Sequence, residues 1–183
     1  MLWLWILIAV VVILIFILIS YFNRFSLLEN RINNSESQIN VQLRKRADLV
    51  PNLINAVKGF MKHEKSIITE VTNARKAMLS AGNIQEKAKA GNGLQKALKS
   101  IFALAENYPN LKSNENFLQL QQELSSIEDK VAYARQHYND SVLDYSNLFK
   151  TFPGNVFAKI YGKTQKHYLE IPAESKAVPK VSF

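Results

Sequence analysis

The constraint that dominates this chain is an uninterrupted apolar run of eighteen residues, Leu2 to Ile19, extended by Ser20, Tyr21 and Phe22, while every charged side chain lies at or after Arg24. As a helix it is roughly 30 Å long, which matches the hydrocarbon core of a bilayer. The competing reading is a cleaved signal peptide, but no basic segment precedes the run, the run is too long, and no small-x-small site follows it. A retained anchor is therefore expected. Trp3 and Trp5 at one end and Tyr21 and Phe22 at the other resemble interfacial aromatics, with Arg24 just beyond them. Basic residues near the span set its orientation, and Arg24, Arg31, Arg44, Lys45 and Arg46 all follow it. The sequence thus predicts a single-pass protein with its N-terminus outside and the rest cytoplasmic.

The other 160-odd residues behave differently, which is why a mean hydropathy of -0.09 describes neither part. Apolar residues recur at spacings of three and four almost throughout, without strand alternation or a long repeat, so the fold class is all-α. The clearest seam runs through Phe117, Leu120, Leu124, Ile127, Val131, Ala134, Tyr138, Ser141, Tyr145 and Leu148. A weaker one, through Phe25, Leu28, Ile32, Ser35, Ile39, Gln42, Arg46 and Leu49, can continue directly from the membrane helix, because no Pro or Gly interrupts residues 1 to 50. Asp48 before Pro51 reads as a turn opening a second helix, with a kink in one long helix as the alternative. The spacing predicts helices over 24–49, 51–81, 84–107 and 114–149. Short connections between helices of similar length favour antiparallel packing, so an N-terminal transmembrane helix should continue into an antiparallel four-helix bundle. Domain boundaries follow: an anchor over 1–23, a bundle over 24–150, and a basic, aromatic tail over 151–183.

No motif for chemistry emerges. The absence of Cys excludes disulfides, Cys-ligated metals and a thiol nucleophile. His63, His137 and His167 lie in different segments, His63-Glu64 lacks the second His of a zinc protease, and no Glu-x-x-His pair is present for a di-iron site, so the histidines read as surface or packing residues. Glu64 on a seam position reads as a solvent-edge carboxylate, with a polar pair facing Ser35 as the alternative. Gly91 and Gly93 lack the following Lys of a phosphate loop and suggest a loose stretch of helix. The net charge of +8 is spread along the chain rather than gathered for nucleic acid. Its one dense triplet, Arg44-Lys45-Arg46, is read as closing helix one against the macrodipole. Catalytic, cofactor-binding and metal residues are therefore expected to be none, with no nucleic-acid partner and no small-molecule substrate.

The residues themselves resemble a family. Asn23-Arg24, the string Ser37-Gln38-Ile39-Asn40-Val41-Gln42-Leu43-Arg44-Lys45-Arg46-Ala47-Asp48-Leu49-Val50-Pro51-Asn52-Leu53, then Val57-Lys58-Gly59-Phe60 and His63-Glu64 are similar to the LemA family of bacterial membrane proteins. Glu106 to Lys112, Asn114 to Gln121, Ala134-Arg135, Tyr138-Asn139 and Phe152-Pro153 continue the likeness in order, so it covers residues 21 to about 155. It departs at Ser35-Glu36, where the family often carries Ala-Trp, and a role for that aromatic is not carried over. The resemblance implies a short extracytoplasmic N-terminus, one membrane helix and a cytoplasmic four-helix bundle, with no established enzymatic activity and no cofactor.

The functional expectation is a scaffold or adaptor in the bacterial cytoplasmic membrane, its partners being the lipid bilayer and a cytoplasmic protein or another copy of itself. The rival class is a membrane-tethered enzyme with an unrecognised active site. One further expectation concerns the tail. If the bundle alternates up and down, the last helix ends near the membrane, where Phe152, Phe157, Lys159, Tyr161, Lys163 and Lys166 have the composition of an interfacial segment.

Overall fold

The computed structural model describes residues 1–61 and 63–170. Residues 171–183 of the predicted tail lie outside the described residues. The described chain is all-α: α1 (Leu2–Lys58), α2 (Lys65–Ser80), α3 (Ile84–Ala105), a single turn α4 (Pro109–Lys112), α5 (Glu115–Lys150) and a short α6 (Gly154–Ile160). It divides into two compact units.

The larger unit holds Glu36–Arg135 with Leu169. Its four long segments form an antiparallel bundle, and side-chain pairs give the directions. Arg75 of α2 reaches Ala47 of α1, Gln95 of α3 reaches Glu128 of α5, and Phe102 meets Phe117. The core is aliphatic, built on Val50, Leu53, Val57, Met61, Val71, Leu94, Leu98, Ile101, Leu111, Phe117 and Leu124. The helix starts obey local rules. Asn83 caps α3 by accepting from the Glu86 amide at 2.9 Å, and Asn114 does the same for the Phe117 amide at 3.1 Å before α5. The Gly82 amide bonds the Glu86 carboxylate at 3.0 Å and holds that carboxyl below its usual value.

The expected turn at 48–51 is not there. Helix α1 passes through Pro51 and ends only at Lys58, so Leu53 and Val57 belong to it and α2 begins at Lys65. A proline inside a helix strips the carbonyl four residues earlier of its amide partner. Here that carbonyl is Ala47, and the Arg75 guanidinium donates to it at 2.8 Å, so a tertiary bond replaces the one Pro51 removes. The Arg44–Arg46 triplet accordingly lies within α1 and not at its end. Arg44 pairs with Asp48 on the surface, and Arg46 is 2% exposed in the core.

The smaller unit holds Met1–Ser35 and Gln136–Tyr168. Within it α1 and the end of α5 are antiparallel, with Ser35 against His137 and Ser141, and Phe25 against Tyr145. Glu64, read as a solvent-edge carboxylate with Ser35 as the alternative partner, is half-buried and accepts from the Tyr108 hydroxyl at 3.4 Å. After α5, the sequence Phe152-Pro153-Gly154 turns the chain into α6. A Cβ on Gly154 would overlap the Leu148 carbonyl, so only glycine lets α6 start so close to the end of α5.

Candidate membrane-junction site

Most of the apolar run at the start of α1 packs against no described residue: Trp3 is 84% exposed, Leu7 63% and Phe16 75%. A stripe of that size is stable only in an apolar solvent, and α1 is long and apolar enough to cross a membrane. Trp3 and Trp5 stand free at its far end.

Where the run gives way to polar sequence, the segment after α5 folds onto it. Tyr21 stacks on Phe157 with ring centroids 4.4 Å apart, and Phe22 and Phe25 meet Tyr161 edge to face. The Tyr161 hydroxyl donates to the Leu18 carbonyl at 2.6 Å. Lys163 pairs with Glu29 at 2.7 Å and lies over the Phe22 ring. Residues beyond Tyr161 return along α5, where the Tyr145 hydroxyl donates to the Thr164 carbonyl at 2.9 Å and the Tyr138 hydroxyl to the His167 carbonyl at 3.2 Å. The match is metric: two helical turns between the tyrosines and three extended residues between the carbonyls both span about 10 Å. Burial, reinforced by the Glu29 carboxylate, pushes the Tyr145 phenol up to about 12.

The six tail residues named from sequence therefore divide. Phe157, Tyr161 and Lys163 turn inward and fasten the segment to α1, and Lys166 is half-buried. Phe152, 82% exposed, and Lys159 face outward. Sequence reasoning passed over Val156 and Ile160, which with Phe152 form an exposed stripe at spacings of four. That signal was legible as helical periodicity. The tyrosine-to-carbonyl bonds carried none, since nothing in a sequence marks which backbone oxygen a hydroxyl will reach.

Beside the α6 turn a cleft of about 520 Å³ opens between α1 and α5, and its walls include Arg24, Arg31, Asp144, Asn147, Thr151 and Phe152. Among the described residues neither guanidinium is held by an ion pair or a hydrogen bond. All three histidines are exposed, and His137 places Nδ1 2.9 Å from the Ser35 hydroxyl. No group of three metal-ligating side chains occurs among the described residues.

The bundle contains a polar layer of its own. Arg46 donates to the Gly91 carbonyl at 3.4 Å, and Arg135 donates to the Ala88 carbonyl at 3.0 Å and to Asn92 at 2.6 Å, so two guanidiniums clasp one stretch of α3. Burial lowers both from the usual arginine value, an effect Glu128 opposes and Arg135 adds to at Arg46. Gly91 is no loosening of α3. A Cβ there would come within 2.7 Å of the Leu43 side chain, so the glycine admits α1 at close range. On the bundle surface a groove of about 460 Å³ runs between α1 and α5, flanked by Val41 at 48% exposure and Tyr133 at 69%, with Gln38, Gln42 and Lys130 beside them.

Taken together these features define a helical, membrane-associated protein whose apolar helix is collared by its own C-terminal segment. The LemA family model matches residues 35–183, and the chain belongs to that family. The match extends through the segment after 155 that the motif resemblance left unassigned. The chain is 24% identical to the magnetosome protein MamQ of Magnetospirillum gryphiswaldense, across 85% of its own length and 67% of that protein's. It is 23% identical to magnetosome protein MamQ 1 of Paramagnetospirillum magneticum over the same shares. Protein LemA of Metamycoplasma hominis is 24% identical over 72% of this chain and 60% of its own.

Proposed function

We propose that the protein is a single-pass scaffold of the bacterial cytoplasmic membrane, N-terminus outside, whose cytoplasmic bundle docks a protein partner or a second copy on the Val41–Tyr133 groove. The groove carries the reading. Its exposed apolar residues Val41 and Tyr133 are bordered by Gln38, Gln42, Asp129 and Lys130, the combination of apolar contact surface and polar rim that accepts an amphipathic helix. The orientation rests on the arginines that follow the apolar run.

Photo-crosslinking in native membranes tests it, with the reactive side chain placed at Tyr133, at Val41, and at exposed Lys76 of α2 as control. The expected result is a discrete protein adduct, to a partner or to another copy, from Tyr133 and Val41 and not from Lys76. Equal yields at all three positions would sink the groove as a docking face. Because the natural chain has no cysteine, a single Glu70→Cys on α2 reports orientation cleanly. An impermeant thiol reagent should label it only after the cells are permeabilised.

A further inference from the structure

The stripe Phe152, Val156 and Ile160 is 82%, 45% and 60% exposed, and nothing among the described residues covers it. Its position names the occupant. Helix α6 is fastened to the last turn of the apolar run by the Tyr161 bond to the Leu18 carbonyl and the Tyr21–Phe157 stack, with Leu18, Ile19 and Phe22 exposed beside it at 37%, 54% and 49%. The stripe is thus continuous with surface that lipid must cover if Leu2–Ile19 spans a bilayer. A short helix with an apolar face toward the acyl region and Lys159 exposed has the make-up of an interfacial element.

The Arg24 end of the cleft behind α6 lies at headgroup level if Leu2–Ile19 spans a bilayer. Arg24 lies five residues past Ile19, about 7.5 Å along the helix, within the interfacial zone flanking the hydrocarbon core. Arg31 is seven residues further, two turns on and on the same face. Side chains on a helix lean toward its N-terminus, which for α1 is toward the membrane, and both arginines line the cleft. Asp144 on the opposite wall leaves a surplus of one positive charge, and Asn147 and Thr151 add neutral hydrogen-bonding groups.

We infer that the Arg24–Arg31 cleft binds the phosphate of an anionic phospholipid while Phe152, Val156 and Ile160 immerse α6 in the same leaflet. The inference rests on the reading of Leu2–Ile19 as a span. It explains why Arg24 and Arg31 are unpaired while Lys163 is paired: the lysine fixes the collar and the arginines face lipid.

The test uses the full chain in vesicles of phosphatidylcholine and phosphatidylglycerol, with single nitroxide labels at Val156→Cys, at Val12→Cys in the apolar run, and at Glu70→Cys on the bundle. Oxygen and a water-soluble nickel chelate report depth. Val12 should be deep, Glu70 wet, and Val156 shielded from nickel. A wet Val12 would remove the span itself. A deep Val12 with Val156 as wet as Glu70 would overturn the immersion of α6 and leave the anchor standing. Lipid choice is read from fluorescence transfer between a dye at Val156→Cys and labelled phosphatidylglycerol or phosphatidylcholine. The intact chain should enrich phosphatidylglycerol, R24Q/R31Q should lose that preference by about five-fold per arginine at low salt, and R24K/R31K should keep most of it. Unchanged preference in R24Q/R31Q, with helix content equal by circular dichroism, would overturn the cleft as a headgroup site.

Discussion

The bundle and the membrane junction are both helical, yet they are held together by different chemistry. In the bundle, aliphatic side chains from four helices fill a shared core, and arginines satisfy backbone carbonyls that the helices leave available. In the junction buried Leu28, Ile32, Val142 and Leu148 are supplemented by aromatic pairs, tyrosine hydroxyls on main-chain carbonyls, and the Glu29–Lys163 pair. An aliphatic core stabilises by the area it removes from water, and that term vanishes beside a bilayer, where an apolar side chain is solvated by lipid. Hydrogen bonds and ring geometry keep their value there. The comparison teaches that the junction adds directional bonds to its apolar burial where the bundle relies mainly on a shared aliphatic core.

The largest expected effect falls on the bundle. Leu94 is fully buried, and Leu94→Ala should cost about 2–5 kcal/mol, read by hydrogen exchange in the full chain as lost protection across α2, α3 and the bundle part of α5. The Tyr145–Thr164 and Tyr138–His167 segment should keep its own protection. If both regions lost protection equally, the two modes of cohesion would not be separable.

A smaller and reciprocal effect is expected from Gly154→Ala. The new methyl collides with the Leu148 carbonyl and must displace α6, at a cost of about 1–3 kcal/mol typical of overpacking. Exchange should rise over residues 154–168 while Leu94 and its neighbours are unmoved. Protection unchanged over 154–168 would mean that α6 is not seated against α5 as described.

The smallest effect is a titration. An exposed tyrosine ionises near 10, whereas the Tyr145 phenol is pushed up to about 12 by burial and by Glu29. The folded state then holds a proton that the unfolded state releases, so this group's contribution to junction stability is intact below pH 10 and declines between pH 10 and about 12. Ultraviolet titration should show a late phenol that is lost in Tyr145→Phe and shifted down in Glu29→Gln. A Glu29→Gln titration identical to the natural chain would remove the carboxylate from this account.

Much of this was legible in the residues. The apolar run, the all-α class, the α5 seam from Phe117 to Leu148 and the bounds of α3 and α5 follow from local periodicity, which a helix displays in its own sequence. The candidate site was legible only in part. Arg24, Tyr21 and Phe152 could be placed near the membrane by counting from the span, but Arg31, Asp144 and Thr151 join them only because α5 returns beside α1.

What the sequence determined by itself, then, is what spacing along one helix sets, the apolar run and the seams, together with the family. What the tertiary structure decided is every feature in which one element repairs or restrains another. Pro51 reads as a helix start, and it lies inside a helix because Arg75, twenty-four residues away, bonds the Ala47 carbonyl that proline strands. Gly91 reads as slack, and it is a contact because Leu43 needs the space. Lys163 and Tyr161 read as membrane-surface groups, and they are fasteners because Glu29 and Leu18 face them. In each case the deciding partner is remote in sequence, and the energy of a buried hydrogen bond or a close packing contact depends on that partner being present.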